Sequence, residues 1–140
     1  MKYKFLPHTA DAKFVAHGKT MEEAFENAAL AMYSIMVKTD KVDKKVARQV
    51  SAEAKDEEGL LYRWLEGLLF LLDTEFFALS SIKRLKIRKS SEGFALEAEV
   101  IGDKFSDRYE RLGSVKAVTY NEMFVKKDAK GFKLQVVLDL

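Results

Sequence analysis

The sequence predicts an α+β fold in two layers, with about seven mostly antiparallel strands and two helices packed on the sheet. Three observations carry that prediction. Two stretches, beginning at Thr20 and Asp56, open on a helix cap and continue with apolar residues at helical spacing. The other apolar stretches alternate with polar residues at period two, as strands with one wet face do. Most of these strands follow the second helix, giving the order β-β-α-β-α-β-β-β-β. With 140 residues the chain reads as a single domain spanning 1–140, long enough to bury a hydrophobic core.

In chain order, Lys2 to Pro7 alternates and is stopped by Pro7, which cannot donate to a sheet. His8-Thr9-Ala10-Asp11 follows as a polar loop, and Lys13 to His17 is a second strand ended by Gly18. Thr20 caps the first helix and Glu23, three residues on, completes a capping box. Met21, Phe25, Ala28, Ala29, Met32 and Met36 then form one apolar face, and the helix is predicted to run to about Val37. A charged connection, Lys38 to Lys45, leads into a strand from Val46 to Lys55. Asp56 caps the second helix, with Glu57 and Glu58 where the helix dipole favours acids. Its Leu-rich body around Trp64 is apolar on more than one side and reads as central core.

The remaining stretches are strands. Leu85 to Arg88 and Phe94 to Val100 flank a turn at Ser90 to Gly93. The charged segment Gly102 to Gly113 reads as an irregular, solvated loop. Val115 to Val125 is a long strand in which Lys116, Val118, Tyr120, Glu122 and Phe124 share a face, and Gly131 turns the chain into a last strand running to Leu140.

Composition excludes several classes. Cysteine is absent, so disulfides and thiolate metal sites are excluded and any metal must take oxygen or nitrogen ligands. Net charge is +2, with the two signs interspersed, which does not favour a tight nonspecific binder of nucleic acid. The start has no signal-peptide character and no apolar run approaches the ~18 residues that cross a bilayer, so a cytoplasmic protein without membrane contact is expected. No phosphate loop, nucleophile elbow or His-Glu-x-x-His motif is present, and no catalytic residue is assigned. Candidate chemistry gathers on His8, Asp11, Lys116, Asp139 and the carboxylate of Leu140. Asp11, Asp139 and Leu140 together would offer hard oxygen ligands to Ca²⁺ or Mg²⁺. On residues alone a solvated terminus is the default reading, as is a loop-bonded His8 and an ion-paired Lys116. A phosphoester hydrolase built on Asp11, His8 and Asp139 is a rival that turnover by the protein alone would reveal.

Several of these stretches together resemble the archease family. They are His8-Thr9-Ala10-Asp11, the run from Gly18 through Thr20 to Phe25, Leu60 to Leu69, Val115-Lys116-Ala117-Val118-Thr119-Tyr120, and Leu138-Asp139-Leu140. The resemblance spans nearly the whole chain in order. It implies an archease-type fold and a non-enzymatic cofactor protein of tRNA splicing. The partner it implies is the GTP-dependent RNA ligase, whose active-site histidine the archease helps to guanylylate so that the ligase turns over repeatedly. It implies a divalent metal ion (Ca, Mg or Mn) on Asp11, Asp139 and Leu140, and places the functional lysine of a Lys-Ala-x-Thr-Tyr motif on Lys116, with His8 and Tyr120 in the same activating surface. Asn121 departs from relatives that carry His after that tyrosine. The alternative reading is an RNA-binding or chaperone module that delivers tRNA to a ligation or modification enzyme.

Overall fold

The computed structural model describes residues 2–7 and 11–140. Its strands are β1 (Tyr3–Leu6), β2 (Asp11–Gly18), β3 (Val46–Ala54), β4 (Phe77–Ser90), β5 (Gly93–Lys104), β6 (Ala117–Asp128) and β7 (Gly131–Asp139), and its helices are α1 (Met21–Ser34) and α2 (Glu57–Glu75). The seven strands and two helices are those the sequence predicts, distributed over two antiparallel sheets. One has the order β1-β2-β7-β6 and the other β3-β5-β4. Both helices touch both sheets: α1 packs on β1, β2, β7 and β4, and α2 on β6, β3, β5 and β4.

That placement explains the helix sequences. A helix covered on more than one side must be apolar round most of its circumference. In α1, Ala24, Ala28, Ala29 and Ala31 let strands approach closely while Phe25, Met32 and Tyr33 fill the gaps, all fully buried. In α2, Leu60, Leu61, Trp64, Leu65 and Leu68 are fully buried. Their polar atoms are satisfied across the core. Trp64 Nε1–H donates to the Phe25 carbonyl at 2.9 Å, and the Tyr33 hydroxyl bonds to the carbonyls of Phe77 at 3.0 Å and Leu68 at 3.3 Å. Both caps form as expected. Thr20 Oγ1 accepts from Glu23 N–H at 3.1 Å, and Asp56 Oδ1 accepts from Gly59 N–H at 2.7 Å.

Four features differ from the sequence expectation. Helix α1 ends at Ser34, and the chain continues as a turn whose Met36 and Val37 N–H groups both bond to the Tyr33 carbonyl. Phe76, in the left-handed region at φ 56°, ends α2, and β4 starts directly at Phe77, eight residues before the strand predicted at Leu85. The charged segment after β5 is anchored rather than simply solvated. Tyr109 is buried, donates to Asp103 Oδ2 at 2.6 Å and accepts from Asp43 N–H at 3.1 Å, while Arg108 pairs with Asp43 at 2.6 Å. Finally β6 does not alternate throughout. Thr119 pairs with Val137 but Phe124 with Gln135, so five steps of β6 are matched to two of β7, and Glu122 sits at φ 53° inside the bulge. Phe124 therefore shares a face with Thr119, not with Val118.

Candidate functional site

Strand β2 begins at Asp11 and strand β7 ends at Asp139, and the two residues are direct antiparallel partners. Asp11 thus belongs to a strand rather than to the loop before it. Asp139 is also the partner of Ala117 on β6, so Asp11, Asp139 and Ala117 form one transverse row. Partners in register present their side chains on the same face, with Cβ atoms about 4.5–5.5 Å apart. The neighbouring row, Ala12 and Leu138, faces the helices, and Leu138 is fully buried. The carboxylates of Asp11 and Asp139 consequently project side by side from the opposite face, at the end of the sheet. Asp11 is half-buried with Oδ1 shielded from solvent, and Asp139 is exposed. Leu140 follows at once.

Like charges directly opposite one another destabilise a sheet unless a cation offsets them. The donor set is two carboxylates with the backbone oxygens of Leu140 beside them, all hard oxygen ligands of the kind Ca²⁺, Mg²⁺ and Mn²⁺ prefer. Among the described residues no three His, Asp or Glu side chains gather as a metal site, so these two carboxylates need backbone or water oxygens to complete a coordination sphere. The donor chemistry fits a hard divalent ion. His8 lies outside the described residues.

Lys116 is tied to the same row through its backbone, its N–H donating to the Asp139 carbonyl at 2.8 Å. Its side chain lines an open cleft of about 1080 Å³ between α2 and the two sheets, with Tyr62, Arg63, Glu66 and Phe70 from α2 and Glu97 from β5. The lysine therefore connects two neighbouring surfaces, the carboxylate row and the cleft. At the cleft margin the Tyr62 and Tyr120 rings stack at 4.3 Å, 7° from parallel, and Tyr120 remains 55% exposed. Burial, and after it the Glu66 carboxylate, hold the Tyr62 phenol above its ordinary pKa, so it stays protonated. Phe70 is 64% exposed on the same side. Asn121 lies in the β6 bulge, its N–H bonded to Thr119 Oγ1 at 3.3 Å. Beyond it, Glu122 pairs with Lys13 at 2.9 Å and its carbonyl accepts from Gln135 Nε2 at 2.7 Å, which clamps the bulge onto the face that carries Asp11 and Asp139. Sequence reasoning missed the Tyr62–Tyr120 stack and the Lys13–Glu122 pair. Both depend on a bulge that no Gly or Pro announces.

The model of the Archease protein family (MTH1598/TM1083) matches residues 3–140. This chain belongs to the archease family. It is 41% identical to Protein archease of Methanothermobacter thermautotrophicus over 138 residues, which covers 99% of this chain and 98% of that one. It is 38% identical to Protein archease of Archaeoglobus fulgidus over 140 residues, covering all of both chains. Among solved structures, the solution structure of Methanobacterium thermoautotrophicum protein 1598 superposes with a TM-score of 0.86 at 39% identity, covering 99% of each chain.

Proposed function

We propose that this chain is a non-enzymatic activator of the GTP-dependent RNA ligase of tRNA splicing, acting at the end of the β2–β7 pair. Family membership supports the class of function, and the Asp11–Asp139 register supports the place where it acts. In this reading Asp11, Asp139 and a backbone oxygen of Leu140 hold a divalent ion, which supplies a positive centre for triphosphate oxygens. Guanylyl transfer to a histidine requires charge neutralisation and alignment more than proton chemistry, so an accessory protein contributes by positioning. The sheet end is suited to that work because strand pairing fixes both carboxylates, and the Lys116 N–H fixes the Asp139 backbone. The Lys116 side chain, exposed at the cleft margin, supplies a compact positive charge toward phosphate oxygens. The stacked Tyr62–Tyr120 pair and Phe70 offer the partner an apolar footing beside it.

The test is single-turnover guanylylation of the ligase with the wild-type chain, Asp11→Asn, Asp139→Asn and Lys116→Ala. The expected result is loss of most of the stimulation in all three, with calcium or manganese binding lost only in the two Asp variants. Full stimulation by both Asp variants would remove the carboxylate row from the mechanism.

A further inference from the structure

The opposite end of the same sheet carries the reverse charge. His17 of β2 pairs with Lys133 of β7, and Lys133 pairs in turn with Lys126 of β6. On the other side His17 N–H donates to the Lys2 carbonyl at 3.0 Å, which continues the row into the residue before β1. Lys2, His17, Lys133 and Lys126 therefore cross the sheet side by side on one face, the face that also bears Asp11 and Asp139. Lys19 and Lys130 rim a shallow depression at that end, together with Lys2, His17 and Lys133. The two acids there are already engaged by backbone. Glu23 Oε1 accepts from Lys19 N–H at 3.2 Å, and Asp128 Oδ1 accepts from Lys130 N–H at 2.8 Å. Among the described residues, no salt bridge engages Lys2, Lys19, Lys126, Lys130 or Lys133.

The second sheet shows how this chain handles a basic strand that has no such task. Strand β4 is as lysine- and arginine-rich, yet its partner β5 supplies carboxylates. Lys83 and Arg84 reach Glu99 at 3.9 and 3.7 Å, Arg88 reaches Glu97 at 4.0 Å, and Lys86 is in register with Glu97. The first sheet instead sets cation against cation, an arrangement that weakens strand pairing unless an outside anion spans it. The cations are all lysines. Lysine is depleted in protein–protein interfaces, whereas as a compact point charge it is a common phosphate ligand. Phe124, one row inward on the same face with Lys126 4.4 Å above its ring, adds an aromatic surface. Lysines around a half-buried aromatic at the end of a sheet suit single-stranded RNA.

We infer that the Lys2–His17–Lys133–Lys126 row, with Lys19 and Lys130 at its rim, is a docking surface for the phosphate backbone of single-stranded RNA. Six strand rises separate Asp11 from His17, so this surface lies about 20 Å from the carboxylate row. That is about two Debye lengths of about 8–10 Å at working salt, so the two ends are largely screened from one another. The overall charge of +2 conceals the surface because the acids lie elsewhere.

The probe is a fluorescently labelled 20-nucleotide single-stranded RNA, titrated by anisotropy with the chain alone, in EDTA, from 25 to 200 mM salt. Three to five phosphate contacts predict a slope of log K against log salt of about −2 to −3.5, and Lys133→Gln makes it shallower by about 0.7. Lys126→Glu with Lys133→Glu lowers affinity about ten-fold or more, while the charge-matched Lys86→Glu with Lys89→Glu on β4 changes it less than two-fold. Lys133→Glu alone melts no lower than wild type, because it sets a carboxylate opposite Lys126 in place of a like charge. Absence of RNA binding at 25 mM salt overturns the inference, as does equal loss in the two double variants. Binding of polyglutamate but not RNA also overturns it and marks the row as a protein-docking face instead.

Discussion

Asp139→Asn in metal-free solution isolates the cost of setting two carboxylates side by side. In-register partners place the Asp11 and Asp139 charges about 5.5 Å apart, where two like charges repel by about 0.8 kcal/mol at the dielectric of water and about 3 kcal/mol at an effective value of 20. Asp139 is exposed, so solvent screening keeps the repulsion near the lower end, about 1 kcal/mol. For a chain of this length 1 kcal/mol corresponds to about 3 °C in Tm. Asp139→Asn is therefore expected to melt about 3 °C above wild type in EDTA, followed by circular dichroism. With metal the order reverses. At a calcium concentration 100 times its Kd, the wild type gains about 2.7 kcal/mol, or about 8–9 °C, and the variant gains little. A variant that melts below wild type in EDTA, or a wild type whose Tm ignores both calcium and manganese, would refute the reasoning.

Three further substitutions test the frame around the site. Tyr33→Phe leaves the carbonyls of Phe77 and Leu68 short of a donor and is expected to cost about 1–2 kcal/mol, or 3–6 °C in thermal melts. Burial pushes the Tyr33 phenol well above its ordinary value, so its protonated form stabilises the fold up to pH 10 and that contribution is lost above it. The alkaline limb of a stability–pH curve should accordingly be shallower in Tyr33→Phe. Tyr109→Phe removes both bonds that hold the segment after β5, and amide exchange across 105–116 is expected to quicken while the core is unchanged. The Tyr109 hydroxyl, and then the Lys104 N–H, hold the Asp103 carboxyl below its ordinary 3.8. That contribution is present above about pH 4 and lost as the pH falls through the lower folded value, so wild type should lose more stability than Tyr109→Phe between pH 4 and 2.5. Gly102→Ala would drive a methyl into the Ala78 carbonyl and the Phe77 ring, and a loss of about 3 kcal/mol or more is expected in urea titrations.

Much of this architecture is legible in the amino acids. The Thr20–Glu23 and Asp56 caps, the Leu-rich circumference of α2 and the period-two pattern of Gly131–Asp139 are local signals, and each predicted element is found. The pairing of Asp11 with Asp139 is not local. It was anticipated from charge and from family resemblance, and only the register of β2 against β7 places the residues together. Expectations failed where the period was interrupted. Register shifts between Leu79 and Ser81 and between Ile82 and Arg84 break the alternation of β4, so its first half did not read as a strand. The β6 bulge likewise reversed the face assigned to Phe124. The charged segment after β5 looked solvated because a single tyrosine, Tyr109, anchors it against many polar neighbours. The lysine row escaped notice for the same reason as the register: its members are far apart in sequence.

The strand order has a consequence for synthesis. The second sheet is built from β3, β4 and β5, a nearly continuous stretch, whereas the first draws β1 and β2 from one end of the chain and β6 and β7 from the other. Because β7 is inserted between β2 and β6, the β1–β2 hairpin and β6 cannot be joined into one sheet until β7 has been made. A nascent chain can assemble its middle early, but both the acidic and the basic rows of the outer face wait for β7 to join β2 to β6. One strand, β7, thus decides whether either charged row of that face is assembled at all.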